Sequence, residues 1–137
     1  MAILQGNPFC MTPEEKLAQA ETHVFKTVFP DSTNHHNTMF GGKILLMMTE
    51  TAFMTATRFA RKSFVIKSSE QVTFIRPIPA ASLIELIGHV EQVGTTSLRI
   101  RVDIFLEKMQ EEGRELVVTG SFTLVAINEH HKPVKII

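Results

Sequence analysis

From Gly41-Gly42 to about Arg61 the chain runs without another glycine or proline, and nearly every residue on the way is apolar or small. Such a stretch predicts one long helix that water alone cannot surround. On a helical wheel Leu46, Thr49, Phe53, Ala56 and Ala60 share a face, flanked by Ile44, Leu45, Met47, Met48, Met54 and Phe59. Thr51, Thr55, Arg58 and Lys62 lie roughly opposite, and only that narrow stripe is expected to face water. The rest of the chain must cover this helix on most sides.

The segments that follow supply the cover. Val65 to Ile75, Leu83 to Val90, Ser97 to Glu107 and Leu116 to Ile127 read as strands, separated by Pro77-Ile78-Pro79, Gln92-Val93-Gly94 and Gln110-Glu111-Glu112-Gly113. Leu98, Ile100, Val102, Ile104 and Leu106 alternate with Arg99, Arg101, Asp103 and Glu107, so one sheet face is buried and the other partly wet. These connections are too short for crossover helices, which predicts a mainly antiparallel sheet wrapped around the helix. Upstream, His23 to Phe29 is a further strand candidate. Thr12-Pro13-Glu14-Glu15 forms a capping box for a short helix to about Glu21. Residues Met1 to Met11 show no period and read as a leader, with Phe9 as a possible pin.

Residues 1–21 are therefore read as leader and short helix, and 22–137 as a single α+β domain. A chain of 137 residues, 44% of them hydrophobic, sustains one core and not two. Lys plus Arg and Asp plus Glu balance at 14 each, so neither nucleic acid nor an anionic membrane is the expected partner. The longest apolar run, Ile44 to Met48, is far too short to cross a bilayer. A single cysteine, Cys10, fits a reducing compartment, and a cytoplasmic location is expected.

The densest polar cluster, Asp31-Ser32-Thr33-Asn34-His35-His36-Asn37-Thr38, stands just before Met39-Phe40-Gly41-Gly42 and the long helix. Gly41 and Gly42 let backbone approach a ligand, and free N–H groups at a helix start can face a carbonyl oxygen that becomes negative during attack. A plain helix entry is an equally good reading of that pair. His35 and His36 are adjacent, and adjacent histidines point apart in most backbone conformations; no spacing of His, Cys or Asp completes a metal site, so no metal is expected. His130-His131 reads as a solvated turn before Lys132-Pro133. Neither a Gly-x-Ser-x-Gly elbow nor a suitably placed cysteine supports a side-chain nucleophile. Glu50 is the one acid within the apolar helix. It is either a general base or a structural partner of Lys43 or Arg61.

At these residues the chain resembles the hot-dog acyl-CoA thioesterases. Phe29 to Gly42 is similar to their signature P-x-D-T-N-x-x-G-T-x-F-G-G, Thr49-Glu50-Thr51-Ala52 to their Asp-Glu-x-Ala, and Val72-Thr73-Phe74-Ile75-Arg76-Pro77-Ile78 to their V-x-F-x-x-P-I. Val93 to Leu98, Phe122 to Ile127 and Lys132-Pro133-Val134 extend the likeness from about Thr22 to the C-terminus. The resemblance implies a hot-dog fold and hydrolysis of acyl-CoA to free acid and coenzyme A by activated water. It also implies pairing of chains, often three pairs in a hexamer, with sites between subunits. Acyl-CoA and further copies of the chain are the implied partners; no cofactor is implied beyond coenzyme A as product or ligand. Asn34 matches the family's loop asparagine and Gly42 its helix-start donor.

Two positions depart from the pattern. Asn37 replaces the usual glycine, and asparagine tolerates left-handed geometry. Thr49 replaces the usual catalytic aspartate, and a threonine hydroxyl is no base near neutral pH. The base is then lost, leaving an impaired acyl-CoA-binding protein, or Glu50 serves in spite of a 100° rotation about the helix. The ability of Glu50 to pair with Lys43 or Arg61 weighs towards the lost base. For coenzyme A itself, Arg76, Arg99 and Arg101 are candidate contacts to the nucleotide end, although a solvated strand face is the commoner role. The same resemblance makes Ser68 and Ser69 pocket-edge candidates.

Overall fold

The structure is a computed structural model and describes residues 11–136. The leader reading at 1–10, with Phe9 and Cys10, lies outside the described residues. Helix α1 (Pro13–Ala20) begins as the capping box requires, with Thr12 Oγ1 accepting from Glu15 N at 3.1 Å. Strand β1 (Thr22–Val28) follows, then a single 3-10 turn at Pro30–Ser32, the connecting loop, and helix α2 (Gly41–Ala60). Four long strands complete the chain: β2 (Ser63–Phe74), β3 (Ser82–Val93), β4 (Ser97–Lys108) and β5 (Glu115–Ile127).

All neighbouring strands are antiparallel, in the order β1-β3-β4-β5-β2, and α2 packs against all five. A single antiparallel sheet around one long helix is the hot-dog fold expected from the sequence. Leu98, Ile100, Val102, Ile104 and Leu106 of β4 face the helix and are buried, while Arg99, Arg101 and Asp103 lie on the outer face. Met48, Ala52, Ala56 and Phe59 meet this sheet from above, with Phe122 and Leu124 of β5. β2 and β1 form the two sheet edges, so β2 is not paired with β3, its neighbour in sequence. β2 is further broken by two irregularities, one between Glu70 and Thr73 where Gln71 takes a left-handed φ of 50°.

The helix is rotated from the expected setting. Thr51 and Thr55, expected in water, are buried, and it is Leu46 and Phe53 that are exposed, at 57% and 47%. The physical reason lies in the threonines. Thr51 Oγ1 donates to Met47 O and Thr55 Oγ1 to Thr51 O, each at 2.8 Å, so neither hydroxyl carries an unmet bond into the core. Gly88 of β3 lies directly beneath: a Cβ there would stand 2.4 Å from Thr55 Oγ1 and 3.1 Å from Thr51 Cγ2. Small and polar residues let the helix sit close to the sheet. Arg58, from the same stripe, turns back to donate to Glu21 O at 2.9 Å and Thr22 Oγ1 at 3.1 Å, tying the end of α2 to the α1–β1 turn. Leu45, Leu46, Phe53 and Met54 are thus left uncovered by the chain's own sheet, while Ala56 of the expected apolar face joins the core.

Candidate active site

The loop before α2 is ordered from within. Asn34 N donates to Thr38 O at 2.7 Å and Asn37 N to Asn34 O at 3.0 Å, a tight turn that carries Asn37 into the left-handed region at φ 62°. Asn34 Oδ1 meanwhile accepts from His36 N (2.9 Å), Thr38 N (3.3 Å) and Thr38 Oγ1 (3.1 Å). The carboxamide is therefore held by its oxygen, while its Nδ2 makes no hydrogen bond among the described residues. Met39 N donates to Ile78 O (2.7 Å) and Ala80 N to Asn37 O (3.1 Å), fastening the loop to the segment after β2.

No side chain caps α2. Phe40 is the N-cap, and the first paired helix amide is Ile44 N, which donates to Phe40 O at 3.0 Å. The amides of Gly41, Gly42 and Lys43 consequently have no helical acceptor. A Cβ on either glycine would meet nothing within 4 Å, so the side of the chain at these two residues is open. Arg76 shares a hollow of about 330 Å³ with Gly41, Ile44, Phe74 and Ile78, which brings one expected cation to the helix start. Its Nε stands 3.3 Å from Glu115 Oε2.

Thr49 and Glu50 line a second hollow, an open apolar groove of about 490 Å³ walled by Phe53, Met54 and Ile66. Thr49 Oγ1 donates to Leu46 O at 2.8 Å. The expected structural partners of Glu50 are elsewhere: Lys43 Nζ donates to Ser32 Oγ at 3.4 Å, and Arg61 closes the helix at φ 47°. No ion pair or hydrogen bond to Glu50 occurs among the described residues. Glu50 is eight residues beyond Gly42 on α2, about 12 Å of axial rise.

The remaining candidates divide between the two faces of the sheet. Ser69 stands opposite Phe122 and so shares the α2 side with Ile66, which is opposite Leu124; Ser68 is opposite Thr123. Arg99 and Arg101 are not gathered with them. They line a polar hollow on the outer face with Gln71, Thr73, Thr119 and Ser121. Arg99 lies within 3.2 Å of Glu70 and 3.0 Å of Glu91, and Arg101 Nε donates to Asp103 Oδ1 at 3.1 Å.

Sequence reasoning missed two groups. Phe53, Met54 and Ile66 as groove walls were half visible, since Phe53 shares the wheel face of Leu46 and Thr49. A buried carboxylate, Glu85, had no local signal at all. His23 Nδ1 contacts its Oε2 at 2.7 Å, Arg114 binds its Oε1, and His23 Nε2 contacts Glu21 Oε2 at 2.8 Å. The hydrogen bonds to Glu21 and then Glu85 raise the His23 pKa above 6.5. Among the described residues no group of His, Cys, Asp and Glu is arranged to hold a metal, and no helix is long and apolar enough to cross a membrane.

The family profile described as thioesterase superfamily matches residues 36–112, more than half of the chain. The chain belongs to the thioesterase superfamily. An uncharacterised acyl-CoA thioester hydrolase of Bacillus subtilis is 37% identical over 127 residues, covering 91% of this chain and 73% of that protein. Among solved structures, the acyl-CoA hydrolase of Staphylococcus aureus in complex with butyryl coenzyme A and coenzyme A superposes with a TM-score of 0.84 at 29% identity, over 88% of this chain and 73% of that one. An apo-hexameric acyl-CoA thioesterase gives 0.85 at 31% identity, over 88% and 77%. Within this thioesterase-superfamily chain the matched span contains the helix start and the four α2 residues of the groove, Thr49, Glu50, Phe53 and Met54. Asn34 lies just ahead of it.

Proposed function

We propose that this chain is an acyl-CoA thioesterase, hydrolysing the thioester to free acid and coenzyme A with water as nucleophile. The observation that carries the reading is Asn34: its oxygen is consumed in fixing the loop, and its amide is left to donate from the loop that leads directly into the unpaired amides of Gly41 and Gly42. Donors placed this way suit a thioester carbonyl whose oxygen gains charge as water adds. The relatives named as acyl-CoA hydrolases support the same reading.

The roughly 12 Å between Gly42 and Glu50 sets a condition on assembly. One thioester carbonyl cannot touch both, so the donors of one subunit must meet the groove of another. The uncovered Leu46 and Phe53 face and the free edge of β2 are suited to that pairing. We assign the functional unit to a dimer, and the hexameric neighbour supports a trimer of such dimers. Arg76 is the cation we assign to the coenzyme A phosphates, with Ser69 and Ser68 at the pocket edge. Arg99 and Arg101 would reach the nucleotide only where an adjoining subunit presents it to the outer sheet face. No cofactor enters the reaction. Balanced charge and a single cysteine fit a cytoplasmic enzyme of fatty acid metabolism.

A survey of short, medium and long acyl-CoA esters, with released coenzyme A detected as thiol, tests this. Release from at least one chain length at a rate proportional to enzyme is expected. Tight binding of coenzyme A with no release from any ester would instead identify an acyl-CoA-binding protein without turnover.

A further inference from the structure

We infer that Glu50 is the general base of this chain and that Thr49 holds the attacking water for it. The inference rests on the hydrolase reading above and names the residues that would activate its water.

Glu50 is the only carboxylate on α2, and it lines a groove on the exposed side of that helix. Neither cation that would have made it structural reaches it, because Lys43 turns to Ser32 and Arg61 ends the helix beyond the groove. The carboxylate is therefore left without a charged or hydrogen-bonded partner among the described residues. Phe53, Met54 and Ile66 around it exclude bulk water once a second surface closes the groove, as a base acting on a single water requires. Thr49 has the complementary character. Its hydroxyl hydrogen is committed to Leu46 O at 2.8 Å, so its oxygen presents lone pairs to the groove and can accept from a water but not remove its proton.

The step balances without a co-reactant. Water held by Thr49 adds through oxygen to the thioester carbon while one of its protons passes to the Glu50 carboxylate. The carbonyl oxygen, now negative, lies on the amides of Asn34 and Gly42. Collapse of this adduct breaks the carbon–sulfur bond, and the departing thiolate takes the proton back from Glu50.

Full-length parent, Glu50→Gln, Glu50→Asp, Thr49→Val, Thr49→Ser and Thr49→Asp are compared for thiol release from acetyl-, octanoyl- and palmitoyl-CoA, as kcat and KM across the pH range. Because Glu50 is exposed in the single chain, its replacements are expected to fold, which circular dichroism and sedimentation check. Glu50→Gln should lower kcat by about 10²-to-10⁴-fold with little change in KM, and should abolish the acidic limb of the pH profile. Glu50→Asp should retain the limb. Thr49→Val should lower kcat by about tenfold with the limb intact, and Thr49→Ser should restore it. Parent-like turnover and an intact acidic limb in Glu50→Gln overturn the assignment while leaving the hydrolase reading standing. So does a Thr49→Asp chain about a hundredfold faster than the parent, which would mean that the base is missing and not displaced. A parent that releases no thiol from any ester removes the hydrolase reading and the inference together.

Discussion

Asn34 has an occupied oxygen and an unoccupied amide, which one substitution can separate. Asn34→Ala removes both the acceptor that orders the loop and the free amide, so it should lower stability as well as turnover. Asn34→Asp keeps the acceptor and loses the donor. We expect its melting temperature to stay near that of the parent while kcat falls by about 10²-to-10³-fold, the usual cost of a lost oxyanion donor; thermal melts and thiol release on the same preparation check both. The turn chemistry of 31–38 and the family likeness made Asn34 legible as a candidate site residue, but which of its atoms is occupied depends on hydrogen bonds that no pattern encodes. The same limit hid the His23, Glu85 and Arg114 cluster, whose members are far apart in sequence and meet only through strand register. Because folding raises the His23 pKa, its stabilising contribution is complete below about pH 6.5 and is lost as pH rises through the raised value. Relative to His23→Gln, the parent should therefore melt about 2 °C higher at pH 6 and converge with the variant in alkaline solution, a size set by a partly exposed pair. An offset that does not change with pH would assign His23 a packing role only.

At the scale of elements, α2 was legible to within one residue at its end, because two glycines, an unbroken apolar run and no proline leave few alternatives. Its rotation was not. Periodicity separates an apolar side from a polar one, yet two surfaces compete for apolar residues here: the chain's own sheet and, in the proposed dimer, a second subunit. The threonine stripe goes to the sheet since its hydroxyls are satisfied along the helix and Gly88 leaves room for it. Gly88→Ala should consequently cost about 1–3 kcal/mol through overpacking against Thr55, and Thr55→Ala in the same chain should recover part of that loss. Urea midpoints for the two single variants and the double variant measure the coupling, and strict additivity would show that the close approach is relieved elsewhere. The strands show the converse: alternation along β4 fixed which face is buried, whereas nothing in the β2 pattern announced that β2 would pair with β5 and leave an edge free.

For the whole molecule, short connections implied antiparallel pairing but did not order the strands, since β2 skips its sequence neighbour and joins the far side of the sheet. That order leaves β2 and the apolar side of α2 together on one flank. A site divided between chains predicts complementation: Glu50→Gln and Asn34→Asp subunits, each inactive alone, should regain about a quarter of parental activity after denaturation and refolding as an equal mixture, because half the dimers are mixed and each mixed dimer holds one intact site. Mixtures no more active than their components would place the whole site within one chain. The distance from Gly42 to Glu50 along α2 also reaches into kinetics. With donors and base on different subunits, a diluted chain loses rate by mass action and not by unfolding, so specific activity should decline as protein concentration falls through the dissociation constant of the pair. Initial rates would then be second order in protein at the dilute extreme and first order above it, and the amount of enzyme present would set how active each molecule is.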